Sequence, residues 1–405
     1  MVFPRLEPYN IPIRADGKER LKTMKLTMKR TELLRVLTYA FQAVPAKSAE
    51  SQYMNFLLTC QEDHLSVLAS DGNVSCQVVS PMKDSKGNEC ILNLEPGSVQ
   101  TNARMLLEII SKCSGDVVTL YLADTNYLNV SDNESDFNLV TKAGEEYPDV
   151  NLTIPEGQKG LPVALKDLKK LYETTSFAVS TKGPKELFFG INVRAHDGKL
   201  FFTSTDNYRM AENSVTAPRQ DLDFSFTCPT KPLSMLTNLG TDGDCTIYFD
   251  EQSALFVSGG VTIATRLLRG DFPTADKLIP VSFPYQIQVD TKVFLDAADK
   301  VKIISTNEEP RVRLVINKEA GVTMNVQSST YGNGTTPLKG AKVTMPTEEN
   351  VFEIGFNVDF VVGAVKALQS SSFTFLFAGQ TRPFMVKSDD PANIQIITPV
   401  RIATF

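Results

Sequence analysis

The chain has 405 residues, 42% of them hydrophobic and 22% charged, with 23 Gly and 22 Pro. That is the usage of an ordinary globular protein of about two to four domains, and it excludes a disulfide-stapled miniprotein, a collagen and a coiled coil. Lys plus Arg total 41 against 47 Asp plus Glu, a formal charge of −6, which excludes a nucleic-acid binder that is basic all over but leaves room for a segregated basic surface.

Residues 1–23 carry Pro4, Pro8 and Pro12, mixed charges and no periodicity, so they predict a poorly ordered lead-in, with the folded part expected from Met24. From there an amphipathic helix is predicted in "TELLRVLTYAFQAV" from Thr31, because apolar residues recur at three and four. The pattern returns in "LKDLKKLYETTSFAV" from Leu165 and "TKVFLDAADKVKII" from Thr291. A second, shorter helix is predicted in "NARMLLEIISK" from Asn102, "TKPLSMLTNLG" from Thr230 and "NVDFVVGAVKAL" from Asn357. Each second helix runs into an alternating strand pattern, "GDVVTLYL", "GDCTIYFD" or "SSFTFLFAG". Asp71-Gly72 and Asp197-Gly198 are hairpin dipeptides that punctuate further strands between the helices. The elements recur at a period of about 127 residues, which points to three copies of one α+β module. Each copy should hold two helices packed on antiparallel sheets, with domains over 24–157, 158–283 and 284–405.

Little in this sequence suggests catalysis. The six cysteines (Cys60, Cys76, Cys90, Cys113, Cys228, Cys245) form no Cys-x-x-Cys and read as reduced structural thiols. The two histidines, His64 and His196, stand beside acidic or Gly residues and read as surface residues in turns, so a metal centre has little support. Gly332-Asn333-Gly334 lacks the Gly-Lys-Ser/Thr of a phosphate loop and is read as a flexible hairpin. The best enzymatic candidate is the pair Asp71 and Asp206 at related positions of copies one and two. The matching region of copy three, near Ser329, has no acid, which favours a structural turn. No stretch nears the ~18 apolar residues that span a bilayer and no charged head precedes an apolar core, so a soluble, cytoplasmic protein without membrane partners is expected.

Basic residues gather on the repeated helices. Lys29, Arg30, Arg35 and Lys47 stand against Glu32 alone, and Lys166, Lys169, Lys170, Lys182 and Lys185 against Asp167 and Glu173, while copy three is neutral over 290–303. An acidic protein with positive charge on related helices can offer it to a phosphate backbone without reading sequence; a merely solvated helix face is the alternative.

Several stretches closely resemble the bacterial DNA polymerase III beta subunit family of sliding clamps. They are "MKLTMKRTELL" from Met24, "TSTDNYRMA" (Thr203 to Ala211), "TRLLRGDFPTADKLIP" (Thr265 to Pro280), "FEIGFNVDFVVGAVKAL" (Phe352 to Leu368) and "IITPVRI" (Ile396 to Ile402). The resemblance covers Met24 to Arg401 and implies three clamp domains per subunit. Two subunits would join head to tail as a homodimeric ring around double-stranded DNA, with helices lining the hole and sheets outside. A two-domain trimeric clamp would need a shorter chain. The implied function is that of a processivity factor that tethers the replicative polymerase, and no cofactor is implied, since ATP is used by the loader.

By matching position, the resemblance implies DNA-facing roles for Arg35, Lys47, Arg104, Lys166, Lys169, Lys170, Lys182 and Lys231. It implies a hydrophobic cleft for client peptides of the Gln-Leu-x-Leu-Phe type, as carried by the polymerase III alpha subunit and the clamp loader delta subunit. The cleft would use Phe188, Thr205, Asn207, Tyr208, Arg209, Met210, Pro273, Lys277, Leu278, Asn357, Phe360, Ile397, Pro399 and Val400. The dimer contact would fall at Phe137 and Leu139 on one subunit and Ile303 and Ile304 on the other. The chain departs from the family where Asn207-Tyr208 replaces a common Gly-His, where Lys277 replaces a common Arg, and where Ala403-Thr404-Phe405 extends the end. A phage or plasmid clamp paralogue, and an enzyme on the same fold, are the alternatives.

Overall fold

The structure, a computed structural model, describes residues 24–401 apart from 125, 155–157, 276–277 and 306–309. The predicted lead-in, Lys277 and the tail Ala403–Phe405 therefore lie outside the described residues.

Six α-helices stand among the described residues: α1 (Arg30–Phe41), α2 (Ala103–Lys112), α3 (Leu165–Thr175), α4 (Thr230–Thr237), α5 (Thr291–Lys302) and α6 (Val358–Ala367). They fall where the three-and-four spacing predicts them. Three are started by side chains that accept otherwise unpaired N–H groups: Asn102 from Met105, Asp290 from Val293, and Asn357 from Asp359 and Phe360. Helix α3 stops short of its predicted end, and the chain continues as a 3₁₀ turn over Ser176–Ala178. The hydroxyls of Thr174 and Thr175 donate to the carbonyls of Lys170 and Leu171, a local bonding that competes with helix continuation.

Each copy runs strand, helix, three strands, strand, helix, three strands, with an extra strand in the first and third copies. A copy is thus itself two like halves, a shorter repeat that the period of about 127 residues conceals. Every named strand pairing is antiparallel.

The chain divides into two compact units, one of residues up to Leu165 with Asn238–Leu267, the other of Lys166–Thr237 with Leu268 onward. The first holds a 13-stranded sheet that includes Leu161–Ala164, Val261–Arg266, Val74–Pro81 and Asp136–Ala143. The second holds a 9-stranded sheet, in which Arg209–Thr216 pairs with Ile394–Ile397, and a 4-stranded sheet. The middle third of the chain therefore contributes to both units. Its strand Val261–Arg266 completes the sheet of copy one, Val261 opposite Val78, and its strand Arg209–Thr216 joins that of copy three.

In the first unit, Leu33, Val36, Leu37 and Ala40 of α1 and Leu106 and Ile110 of α2 are buried. In the second, α5 and α6 share one core with both sheets, built around Phe294, Phe356, Phe373, Phe375, Phe377 and Phe384. Phe294 meets Phe373 edge-on at 5.3 Å between ring centroids, a favoured aromatic geometry.

Two expectations are corrected. His64 is not a surface turn residue: it opens the strand His64–Ser70 and is 3% exposed, its Nδ1 2.5 Å from the Asp63 carboxylate. The adjacent acid supplies the partner that makes burial of a polar ring tolerable. His196 is exposed, at the end of the strand Gly190–His196. In Gly332-Asn333-Gly334 only the first glycine serves the turn, at φ 95°. Asn333 and Gly334 pair with Gln327 and Val326 as regular strand. The six cysteines are free and buried, and burial pushes the Cys60 and Cys245 thiols up to about 12, which removes the reactive thiolate at neutral pH.

Candidate functional site

The motif "TSTDNYRMA" folds as a tight turn between the strands Lys199–Thr205 and Arg209–Thr216. Asp206 organises it. Its Oδ1 accepts the N–H groups of Tyr208 (2.9 Å) and Arg209 (3.0 Å), and its Oδ2 accepts the Arg209 Nε at 3.0 Å. The Thr205 hydroxyl donates to the Arg209 carbonyl and accepts the Asn207 N–H. Asn207 takes the left-handed backbone, φ 73°, a conformation that Asn tolerates better than most residues. The turn is pinned from outside as well, because both the N–H and the hydroxyl of Thr398 donate to the Tyr208 carbonyl at 2.8 Å.

This wiring fixes where the side chains go. The Arg209 guanidinium lies over the rings of Phe360 (4.6 Å) and Phe177 (5.4 Å), a cation–π arrangement strengthened by its partly buried setting. The Tyr208 ring stacks on Phe360 at 6.3 Å between centroids. Gly363, one turn beyond Phe360 on α6, leaves room for both neighbours: a methyl group there would sit 2.8 Å from Phe177 Cδ2 and 3.5 Å from Arg209 Nη1. Asn357, the cap of α6, orients the helix that carries Phe360. Val400 donates its N–H to the Gly355 carbonyl at 2.8 Å, tying the C-terminal segment beside that helix.

The structure thus brings Thr205, Asn207, Tyr208, Arg209, Asn357, Phe360, Ile397, Pro399 and Val400 to one region of the second unit, with Arg209 opposite Ile397 in the sheet. Met210 and Ile397 are core residues. Met210 packs with Ala275, Met385 and Ile396, and Leu278 lies exposed just past Ala275. Phe188 is buried against Phe272, edge-on at 5.7 Å, next to the exposed Pro273. Phe177, Gly363, Thr398 and the holding role of Asp206 escaped the sequence reading. Only Asp206 carried a signal, its recurrence at Asp71. There Asp71 Oδ1 accepts the N–H groups of Asn73 and Val74, so both acids serve their turns.

The cationic residues divide into two groups. Arg35 is held by both oxygens of Glu32, which also accepts from Ser80. Burial opposes the Glu32 charge, but these bonds keep its carboxyl below the usual range. Lys170 bonds Asp390 at 3.0 Å, and Lys169 lies 3.9 Å from Glu173. Lys47, Arg104, Lys166 and Lys182 are exposed, and Lys231 is half-buried in the first turn of α4.

Two stretches bear on a joint between copies. The strand Asp136–Ala143 pairs with Tyr127–Ser131 along its first half, but with Val99–Thr101 only from Thr141 onward. Phe137 and Val140, 44% and 70% exposed, lie on the stretch that is paired on one side only, with Leu139 half-buried between them. In the second unit Gly332–Pro337 ends the 4-stranded sheet. Ile304 packs close to Gly334, and Ile303 beside it is 81% exposed. A strand left half-open in this way, or an outer strand such as Gly332–Pro337, can take another strand.

Three family models match the chain in order: the DNA polymerase III beta subunit N-terminal domain over residues 24–153, the central domain over 162–274 and the C-terminal domain over 276–401. The beta sliding clamp of Bacillus subtilis is 26% identical over 383 residues, 93% of this chain and 100% of the relative. That of Staphylococcus epidermidis is 25% identical, over 93% of this chain and 99% of the relative. The crystal structure of the Bacillus subtilis DNA polymerase sliding clamp shares the fold with a TM-score of 0.85 at 24% identity, across 94% of this chain and 99% of that one. The chain belongs to the DNA polymerase III beta subunit family of bacterial sliding clamps, α+β proteins of three clamp domains, and is a DNA polymerase processivity factor.

Proposed function

We propose that two copies of this chain close head to tail into a ring around double-stranded DNA, and that clients are tethered at the cleft of Tyr208, Arg209 and Phe360. The observation that carries the client cleft is the half-buried Phe360 ring stacked under the exposed Tyr208 and beside a fixed guanidinium, next to a turn locked by Asp206 and Thr398. A short peptide with leucine and aromatic anchors suits such a site, since a small apolar surface with a few oriented polar groups gives most of its energy to one or two anchors. The clients are Gln-Leu-x-Leu-Phe segments of the polymerase III alpha subunit, the clamp loader delta subunit and similar proteins. The domains of the ring are 24–157, 158–283 and 284–405.

Ring closure is supported by the half-open strand at Phe137 and Leu139 and by the outer strand Gly332–Pro337 beside the loop residues Ile303 and Ile304, because strand addition between unlike edges of two copies is a head-to-tail joint that closes at a dimer. DNA contact rests on Lys47, Arg104, Lys166, Lys182 and Lys231, with Arg35, Lys169 and Lys170 partly neutralised by their own acids. A grip of that kind contacts phosphates without reading bases, as a sliding protein requires. Among the described residues no helix is long and apolar enough to cross a membrane, and a cytoplasmic location fits replication.

Light scattering should give a mass near twice 44.7 kDa, and a labelled Gln-Leu-Ser-Leu-Phe peptide should bind saturably, weakened by Arg209→Ala and Met210→Ala. The loaded protein should stay on closed circular DNA and be lost when the circle is cut. A monomer that ignores the peptide would overturn the proposal.

A further inference from the structure

We propose that Tyr208 is a swinging cover on the client cleft: in the free protein its ring occupies the face of Phe360 that a client's apolar anchor takes on binding. The inference rests on the cleft proposed above and concerns how that cleft is regulated in this chain.

The two stacked rings are held very differently. Phe360 is half-buried on α6, behind a capping Asn357, and its ring lies against an Arg209 guanidinium that Asp206 fixes at 3.0 Å. Tyr208 is 63% exposed. Its hydroxyl has no hydrogen-bond partner among the described residues, and Phe360 is its one ring contact there. Its backbone, however, is clamped at both ends, the N–H by Asp206 and the carbonyl twice by Thr398. The ring can therefore leave Phe360 by side-chain rotation alone, with the turn, Asp206 and Arg209 staying in place. Exposed tyrosine side chains make such rotations on fast timescales.

The same contact is the one a client needs. Phe360 is the aromatic surface beside Arg209, and a leucine or phenylalanine anchor laid on it would bury the apolar area that Tyr208 covers. Two occupants compete for one face, so the apparent dissociation constant is raised by the inverse of the uncovered fraction. An offset stack between two rings of this exposure corresponds to a penalty of roughly threefold to tenfold.

Fluorescence polarisation of a labelled Gln-Leu-Ser-Leu-Phe peptide against the full chain tests this with three variants. Tyr208→Ala should tighten binding roughly threefold to tenfold, chiefly through faster association. Tyr208→Phe, which keeps the ring and loses only the hydroxyl, should stay within about twofold of the unmodified protein. Phe360→Ala should lose the peptide. If Tyr208→Ala weakens binding while Phe360→Ala abolishes it, Tyr208 is a fixed wall that grips the client, and the cover is overturned with the cleft intact. If neither the unmodified chain nor any variant binds, the cleft itself fails and the cover falls with it. Binding seen only in Tyr208→Ala would support the cover at its strongest.

Discussion

Two turns in different units of this chain share one backbone design and serve different ends. At Asp71 and at Asp206 an aspartate accepts the N–H groups two and three residues on, and a preceding hydroxyl, Ser70 or Thr205, accepts the N–H of the residue between. Both tips use the left-handed backbone, Gly72 at φ 88° and Asn207 at φ 73°. They differ in the two residues after the tip. The first turn presents Asn73 and a buried Val74 opposite Thr265. The second presents an exposed Tyr208, and an Arg209 opposite Ile397 that reaches two rings. The repeated fold supplies the turn, and two substituted side chains supply a ring that lies over Phe360 and a guanidinium fixed beside it.

Removing the acid in each turn should therefore give unequal effects. Asp206→Ala loses two backbone contacts and strands a half-buried Arg209 without its carboxylate, a loss of about 3 kcal/mol, with client affinity falling at least about tenfold. Asp71→Ala loses the contacts to Asn73 and Val74, in the unit that does not hold Arg209, and should cost about 1–2 kcal/mol, leaving the peptide isotherm unmoved. Urea denaturation and polarisation on the same samples separate the two; equal losses of peptide binding would break the comparison. The next effect down is Gly363→Ala. The added methyl meets Phe177 at 2.8 Å, so the ring and the Arg209 beside it must shift, at about 1–2 kcal/mol, and client affinity should drop several-fold although Gly363 need touch no client. Unchanged affinity would show that Phe177 does not position Arg209.

These effects also mark what the sequence could and could not disclose. The helices and the threefold repeat were legible because three-and-four spacing is local, and because Asn102, Asp290 and Asn357 announce helix starts at the positions where the pattern begins. Sheet membership was not legible. Nothing local says that Val261 lies opposite Val78, or that Arg209 lies opposite Ile397, so the sharing of the middle copy between two units came only with the structure. His64 failed for a related reason: its acidic neighbours suggested a turn, whereas the residues after it, Leu65, Val67 and Ala69, already alternate as the buried face of a strand. At the site, Tyr208, Arg209 and Phe360 could be named by resemblance to the clamp family. Phe177 and Gly363, far apart in sequence and both without chemistry of their own, could not.

The smallest effect concerns a third turn held by an aspartate, without the hydroxyl contact or the left-handed tip of the other two, which carries no ligand role. Asp132 accepts the N–H groups of Glu134 and Ser135 through one oxygen and those of Ser114 and Gly115 through the other. The bonds from Glu134 and Ser135 lead the causes that lower its carboxyl from 3.8 to about 2. A pKa depressed on folding means that the unfolded chain binds the proton more readily. The contribution to stability is therefore present in full above the unfolded value near 3.8 and is lost as pH falls through the folded value near 2. Asp132→Asn keeps an acceptor oxygen but cannot titrate. Its urea midpoint should lie slightly below that of the unmodified chain at neutral pH, and the gap should close as pH falls from about 4 to about 2. A gap that stays constant over that window would mean that the turn is held by shape alone, and that the charge of the aspartate matters only where, as at Asp206, it has an arginine to hold.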